Sequence, residues 1–263
     1  AELFTFIFCS CYPLRRKTYI PASLCIGLLA NTHAFAWSLG FAGLTILVVE
    51  YLHNSDQRLS YKNNPNWILD LVLSLIILIG LVGFASFSLI QVSDTIDSVP
   101  TSLDLRHFLR VVGRVFGGYM LIIPNSRQLL DLIICSIITS FLVITTLAFL
   151  RRSKSAFLFF ITGTGFLFAF NYFLYLGIGS RHYGYYFLIF IASVWLAIRP
   201  EVNDDNLGIS SRSKVGIINQ LSKFFPYLLT FCLSIHFAAG VHRTLYDFYM
   251  PYSAGKATAS YIK

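Results

Sequence analysis

The chain has 263 residues, of which 56% are hydrophobic and only 12% charged. Soluble domains carry about 25% charged residues, so most of this chain cannot face water, and an ordinary soluble domain is excluded. The net charge of +8 does not point to nucleic acid, because the basic residues sit in short clusters between apolar runs, the pattern that sets topology in membrane proteins. The same balance favours anionic lipid head groups and phosphate-bearing substrates.

Chain order gives a succession of apolar runs. Residues 1–13 are too short to cross a bilayer, which takes about 20 apolar residues, and read as the tail of a span that stops at Leu14-Arg15-Arg16-Lys17. There is neither a basic leader nor a cleavage site, so this is not a signal peptide. The run from Tyr19 to Leu52 is too long for one crossing and breaks at Asn31-Thr32-His33. Two helices meeting at that break are expected, the first short and re-entrant. A polar stretch over 53–65 follows, then a span over Trp67–Ile90 and a long region, 91–128, without one. Leu129–Leu150 spans and stops at Arg151-Arg152-Ser153-Lys154; Ala156–Ile178 spans again and turns at Arg181-His182. Tyr183–Ile198 returns as a short span, 199–223 is largely polar, and Phe224–Val241 is the last crossing before a polar tail.

The expected fold is all-α: a polytopic transmembrane helix bundle of about seven spans plus a partial first one, forming a single transmembrane domain over 1–263. The loops at 14–18, 53–65, 151–155 and 199–223 carry three, two, three and four Lys or Arg, twelve of the twenty in the chain. This side is therefore expected to be cytoplasmic. Loop 91–128, the 179–182 turn and the tail then share the extracytoplasmic face. The chain starts at Ala1 inside an apolar run, and both ends read as cut. The tail 242–263 reads as the start of a missing domain. A multi-pass position in a bacterial inner (plasma) membrane is expected.

The chemistry-bearing residues are few. In loop 91–128, Leu105, Phe108, Leu109 and Val112 repeat at i, i+3, i+4, i+7, while Arg106, Arg110 and Arg114 run along another face. That is a basic amphipathic helix lying on the membrane surface, either as a lid for a carrier phosphate or as a simple interfacial helix. Asp104 precedes it as a helix N-terminal residue and a weak candidate for catalysis. Arg181 and His182 join two apolar runs at the water boundary. They read as a fork donor and a switchable donor for a phosphate, or as a turn that snorkels to head groups. Asn31, His33 and Tyr183 are candidate cavity-lining residues, although the Asn31 break also serves to satisfy freed backbone groups.

Asn171 and His236 lie within spans and read as interhelical hydrogen-bonding residues. Glu50, Asp70 and Asp131 lie near span ends and read as interfacial anchors. Thr162-Gly163-Thr164-Gly165 reads as close helix packing through small residues. The five cysteines, Cys9, Cys11, Cys25, Cys135 and Cys232, all lie in apolar runs without metal-like spacing and read as small core residues. No Rossmann glycine pattern, P-loop or HExxH is present. No cofactor is called for, no metal site is assigned, and a divalent metal stays open.

The break Leu29-Ala30-Asn31-Thr32-His33, the turn Arg181-His182-Tyr183-Gly184 opening an aromatic span, and the tail Tyr252-Ser253-Ala254-Gly255-Lys256 leading to Tyr261-Ile262 make the chain resemble the GT-C-type polytopic membrane glycosyltransferases, the protein mannosyltransferase-like and arabinosyltransferase-like enzymes. The resemblance implies sugar transfer from a polyprenyl-phosphate-linked donor to an acceptor on the extracytoplasmic face. Arg181, His182 and the Arg106–Arg114 face would bind the donor phosphate. The family's catalytic acid lies in the first extracytoplasmic loop, which would precede residue 1, so no catalytic carboxylate is assigned here. Membrane lipid is the other expected partner. The rival readings are a transporter or flippase of a lipid-linked precursor, a glycan polymerase or ligase, and a non-catalytic assembly subunit.

Overall fold

The computed structural model describes residues 1–53, 55–90, 105, 108, 111–112, 129–173, 184–198 and 216–249. Among them every regular element is a helix. In chain order these are α1 (Glu2–Cys11), a 3-10 turn (Tyr12–Arg16), α2 (Ile20–Thr32), a second 3-10 turn (Ala34–Ala36), α3 (Trp37–His53), α4 (Ser55–Lys62), α5 (Trp67–Ile90), α6 (Leu129–Leu150), α7 (Lys154–Phe173), α8 (Gly184–Ile198) and α9 (Gly216–Tyr249). Residues 105, 108, 111 and 112 are helical as well. Phe108 meets Phe168 and Tyr172 edge-on, and Val111 is buried.

Four described segments are long and apolar enough to cross a membrane: Ala34–His53, Trp67–Ser88, Lys154–Phe173 and Lys223–His242. Two shorter apolar helices, Ile20–Thr32 and Gly184–Ile198, and the apolar stretch Ser136–Leu150 of α6 accompany them. These features are compatible with an integral membrane protein. α2 has 13 residues, which at 1.5 Å per residue gives only ~20 Å against a hydrocarbon core of about 30 Å. Of the seven crossings expected, four are met by the long apolar segments; α6 has 22 residues along its full length, while α2 and α8 are shorter than a crossing needs.

Two segments read as polar connections contain helix. Ser55–Lys62 is α4. α9 runs for 34 residues, into both the polar stretch before it and the tail after it. Nothing between Val241 and Tyr249 breaks a helix, and the first strong breaker is Pro251, which disfavours helical geometry in the residue before it.

The core is built by α1, α2, α3, α7 and α8, through side chains such as Phe8, Leu29, Ile46, Phe159, Tyr186 and Phe190. α5 packs on α2, α7 lies between α3 and α8, and α6 packs on α9. Phe149 stacks on Phe225 at 4.3 Å between ring centroids, joining α6 to α9. The outer faces of α5 and α9 stay bare: Ile76, Ile79, Phe84, Phe237 and Phe248 are all more than half exposed. A water-facing helix would not carry such a stripe.

Where helices lack a hydrophobic drive to associate, close approach through small residues decides the packing. Gly163 does this for α7: a Cβ there would lie 3.1 Å from Ile189 and 3.3 Å from Ala42. Gly27 does it more severely for α2, where a Cβ would fall 2.6 Å from the Cβ of Leu81 on α5. Gly80 and Gly83 have nothing within 4 Å of that position. Gly27→Ala is expected to destabilise the protein by about 1–3 kcal/mol through overpacking, whereas Gly83→Ala leaves stability unchanged or raised. Thermal unfolding of the two variants in detergent measures the contrast.

Candidate functional site

Helix direction alternates through the core. One end of the bundle therefore gathers the turns after α1, α3 and α6, and the other gathers the turn after α2 and the starts of α1 and α8. The first end holds two buried carboxylates. Glu50, in the last turn of α3, is 7% exposed. Its Oε2 accepts from Arg15 Nε at 2.6 Å, and its Oε1 accepts from the hydroxyls of Tyr12 and Ser155. Arg15, itself 1% exposed, also donates to the Tyr12 carbonyl at 3.2 Å and lies over the Tyr12 ring at 4.0 Å. One carboxylate thus joins the first 3-10 turn, α3 and α7.

Asp70, in the first turn of α5, is closed off in the same way. Its Oδ2 accepts from the backbone N–H of Tyr19 at 2.9 Å and from the Tyr61 hydroxyl at 2.7 Å, and its Oδ1 accepts from Thr18. Tyr61 stacks edge-on with Tyr19 at 4.7 Å. Burial pushes the Tyr61 hydroxyl well above its ordinary pKa, and the Asp70 carboxylate adds to the rise. Burial, then Glu50, does the same to Tyr12. Both phenols therefore remain proton donors at any physiological pH. Glu50 and Asp70 are not interfacial anchors, as their positions near span ends suggested. Each is desolvated, and a desolvated carboxylate has to be hydrogen-bonded or paired.

The opposite end contains the break after α2. Side-chain donors close the carbonyls that the helix end leaves open: Thr32 Oγ1 donates to Leu29 O at 2.8 Å, and Trp37 Nε1 to Ala30 O at 2.9 Å. Asn31 Nδ2 donates to Gly27 O at 2.8 Å and to Leu81 O at 2.9 Å, which ties α2 to α5. The exposed His33 has extended backbone, and its Nδ1 accepts from the Phe35 N–H at 3.2 Å. Its ring stacks with Phe35 at 5.4 Å and with Tyr185 at 5.8 Å.

A cavity of about 490 Å³ opens beside this stack, lined by Ala1, Glu2, Leu3, Gly184, Tyr185 and Leu188. Of the residues expected to line a cavity, His33 is not in its wall and touches the wall residue Tyr185. Asn31 does not serve that role, because its amide is committed to two backbone carbonyls. Glu2 has no role assigned from the sequence, and Tyr185 reads there only as part of the aromatic span opened by Arg181-His182-Tyr183-Gly184. Glu2 stands at the very start of the chain, and Tyr185 is one of several tyrosines in a run.

Asp104, Arg106, Arg110, Arg114, Arg181, His182 and Tyr183 lie outside the described residues. Asn171 Nδ2 donates to the Tyr186 hydroxyl at 2.9 Å and joins α7 to α8. His236 packs against Phe187 at 3.9 Å and joins α9 to α8. Cys9, Cys25 and Cys232 are buried, with Cys9 Sγ donating to Ala192 O at 3.9 Å. Among the described residues, no group of three His, Cys, Asp or Glu is placed to hold a metal ion.

Glu50→Ala leaves the Arg15 guanidinium in an apolar site without its carboxylate, and a loss of about 3–5 kcal/mol is expected. Replacing both partners together, as Arg15→Met with Glu50→Leu, costs much less. Unfolding of the single and double variants measures the difference. His33→Ala, at an exposed position, is expected to leave the unfolding midpoint within about 0.5 kcal/mol of wild type while changing the reactivity of Tyr185 toward a phenol-selective reagent. No family model, curated protein or solved structure matches the chain.

Proposed function

We propose that this chain is the membrane part of a glycosyltransferase that moves a sugar from a polyprenyl-phosphate donor to an acceptor on the extracytoplasmic face. In this reading the chain crosses the bilayer seven times after a partial first helix, counting the shorter apolar helices as tilted or re-entrant. The end bearing Arg15 to Lys17 faces the cytoplasm, because it carries most of the positive charge.

The supporting observation is one juxtaposition. The cavity at the opposite end is lined by a carboxylate, Glu2, and by Gly184 and Tyr185, and Gly184 directly follows Arg181-His182-Tyr183 in the sequence. A lipid-linked donor asks for this set of groups: cations for a phosphate at the membrane boundary, an acid–base group for the acceptor hydroxyl, and an apolar bundle for the isoprenoid tail. When the bond from sugar to phosphate breaks, negative charge grows on the leaving phosphate, and a fixed guanidinium there lowers the barrier.

Membranes containing the protein, supplied with a panel of polyprenyl-phosphate sugars, are expected to transfer sugar to an acceptor. Arg181→Ala is expected to reduce the rate by about 10²–10³-fold, the effect of removing one preorganised donor from a developing oxyanion. Arg181→Lys retains part of the rate. Equal transfer by wild type and Arg181→Ala, at matched protein levels, would sink the reading. So would the absence of transfer with every donor, and flux of an intact lipid-linked precursor would then support a flippase.

A further inference from the structure

The end of the bundle that holds Glu50 and Asp70 has a property that neither the fold nor the proposed transfer uses. Both of its described carboxylates are buried and committed to internal donors. The cations around them are not buried. Lys17, Lys62, Arg151, Arg152 and Lys154 are exposed, and Arg16 is half-buried. Among the described side chains at this end, no exposed carboxylate balances them. The described part of this surface is therefore of one sign, because the interior has taken up its two described carboxylates.

The same hydrogen bonds fix where these cations stand. Ser155 binds Glu50, which binds Arg15, so the α6–α7 turn is held to the first 3-10 turn. Asp70 binds Thr18 and Tyr19, while Asn64 Nδ2 donates to Lys17 O at 3.0 Å, so the α4–α5 turn is held to the same segment. Three turns are thereby joined into one platform. Two of its cations rest on rings: Lys62 Nζ lies 5.4 Å over Trp67, and the Arg152 guanidinium lies 5.9 Å over Phe149. Leu14, Ile68 and Leu69 are exposed immediately beside these cations.

We infer that this platform is a docking surface for anionic phospholipid head groups. Charge complementarity selects the occupant: a row of cations takes phosphates, and exposed aliphatics one step away take the acyl chains belonging to them. A free anion meets the first requirement and not the second. A polybasic surface of this kind gains roughly fivefold in affinity per Lys or Arg held near an anionic membrane.

The full chain, purified in neutral detergent, is titrated with phosphatidylglycerol or phosphatidylcholine, and retained lipid is counted by native mass spectrometry alongside the thermal unfolding midpoint. Phosphatidylglycerol is expected to bind at least tenfold more tightly and to raise the midpoint. Lys17→Gln, Lys62→Gln and Arg152→Gln are each expected to lose roughly fivefold. Exchanging Lys for Arg and Arg for Lys at the six positions keeps the preference, and this variant decides the matter if a heavily neutralised one does not fold. Raising salt from about 0.1 M to about 1 M, which shortens the Debye length from ~10 Å to ~3 Å, is expected to weaken binding. Equal retention of the two lipids would overturn the inference, as would a preference that survives neutralisation, or full competition by inorganic phosphate at matched concentration. None of these readouts involves sugar transfer, so the result stands or falls apart from the proposed activity.

Discussion

A carboxylate removed from water is tolerable only when its lone pairs are filled from inside the protein, and in this bundle that requirement falls on Glu50 and Asp70. Filling them takes donors from three different parts of the chain. Glu50 draws on Tyr12, Arg15 and Ser155, and Asp70 draws on Thr18, Tyr19 and Tyr61. The short segment from Tyr12 to Tyr19 supplies donors to both, and so it is clamped between α3 and α5. Apolar helices slide past one another at little cost, since one aliphatic contact resembles the next. Two charged nodes with defined partners do not permit that. They set the register of α1 and α2 against the rest, and the close contact of Gly27 with Leu81 becomes possible only in that register.

The opposite end is held differently. There the bonds are neutral: side-chain hydroxyl, amide and indole donors on backbone carbonyls, and stacked rings at 5–6 Å. Each such contact is worth less than a charge-assisted one, and none leaves a bare ion behind when it opens. The cavity lies at this looser end. A site that admits a ligand and then releases its product is better built on neutral contacts, which exchange for ligand contacts at small cost, than on a buried ion pair whose separation strands a charge.

The sequence displayed the helices and their order because hydropathy acts locally. The runs Trp67–Ile90 and Leu129–Leu150 are helices over those same residues, and the break at Asn31 is where α2 ends. Tertiary partners were less legible. Glu50 lies near the end of an apolar run and was read as facing the interface. Only the fold brings Arg15 and Ser155 to it, the latter across 105 residues of chain. The available signal was that an acid within an apolar run has to be answered by a cation, and Leu14-Arg15-Arg16-Lys17 offered three. Tyr61 was hidden by its polar neighbours, because α4 has one buried aromatic in an otherwise polar helix. Pro226 advertises a break that does not occur, as α9 continues through it.

The division between the two ends also bears on where chemistry belongs. A carboxylate has about four lone-pair sites. Glu50 and Asp70 each spend three of them on internal donors, one of which for Glu50 is a guanidinium. A general base has to offer a free lone pair to its substrate's proton, within hydrogen-bond reach and in a place the substrate can enter. Both buried acids have at most one site left and lie where a substrate cannot enter, so their burial counts against a catalytic role. Glu2 is exposed and lines the cavity. Tyr185 also lines the cavity and is the second residue of α8, the helix that follows Arg181-His182-Tyr183 in the sequence. Under the proposed transfer, the acid that engages an acceptor hydroxyl is therefore to be sought among exposed carboxylates at this end, and the buried pair is assigned to holding the bundle in the register on which the cavity depends.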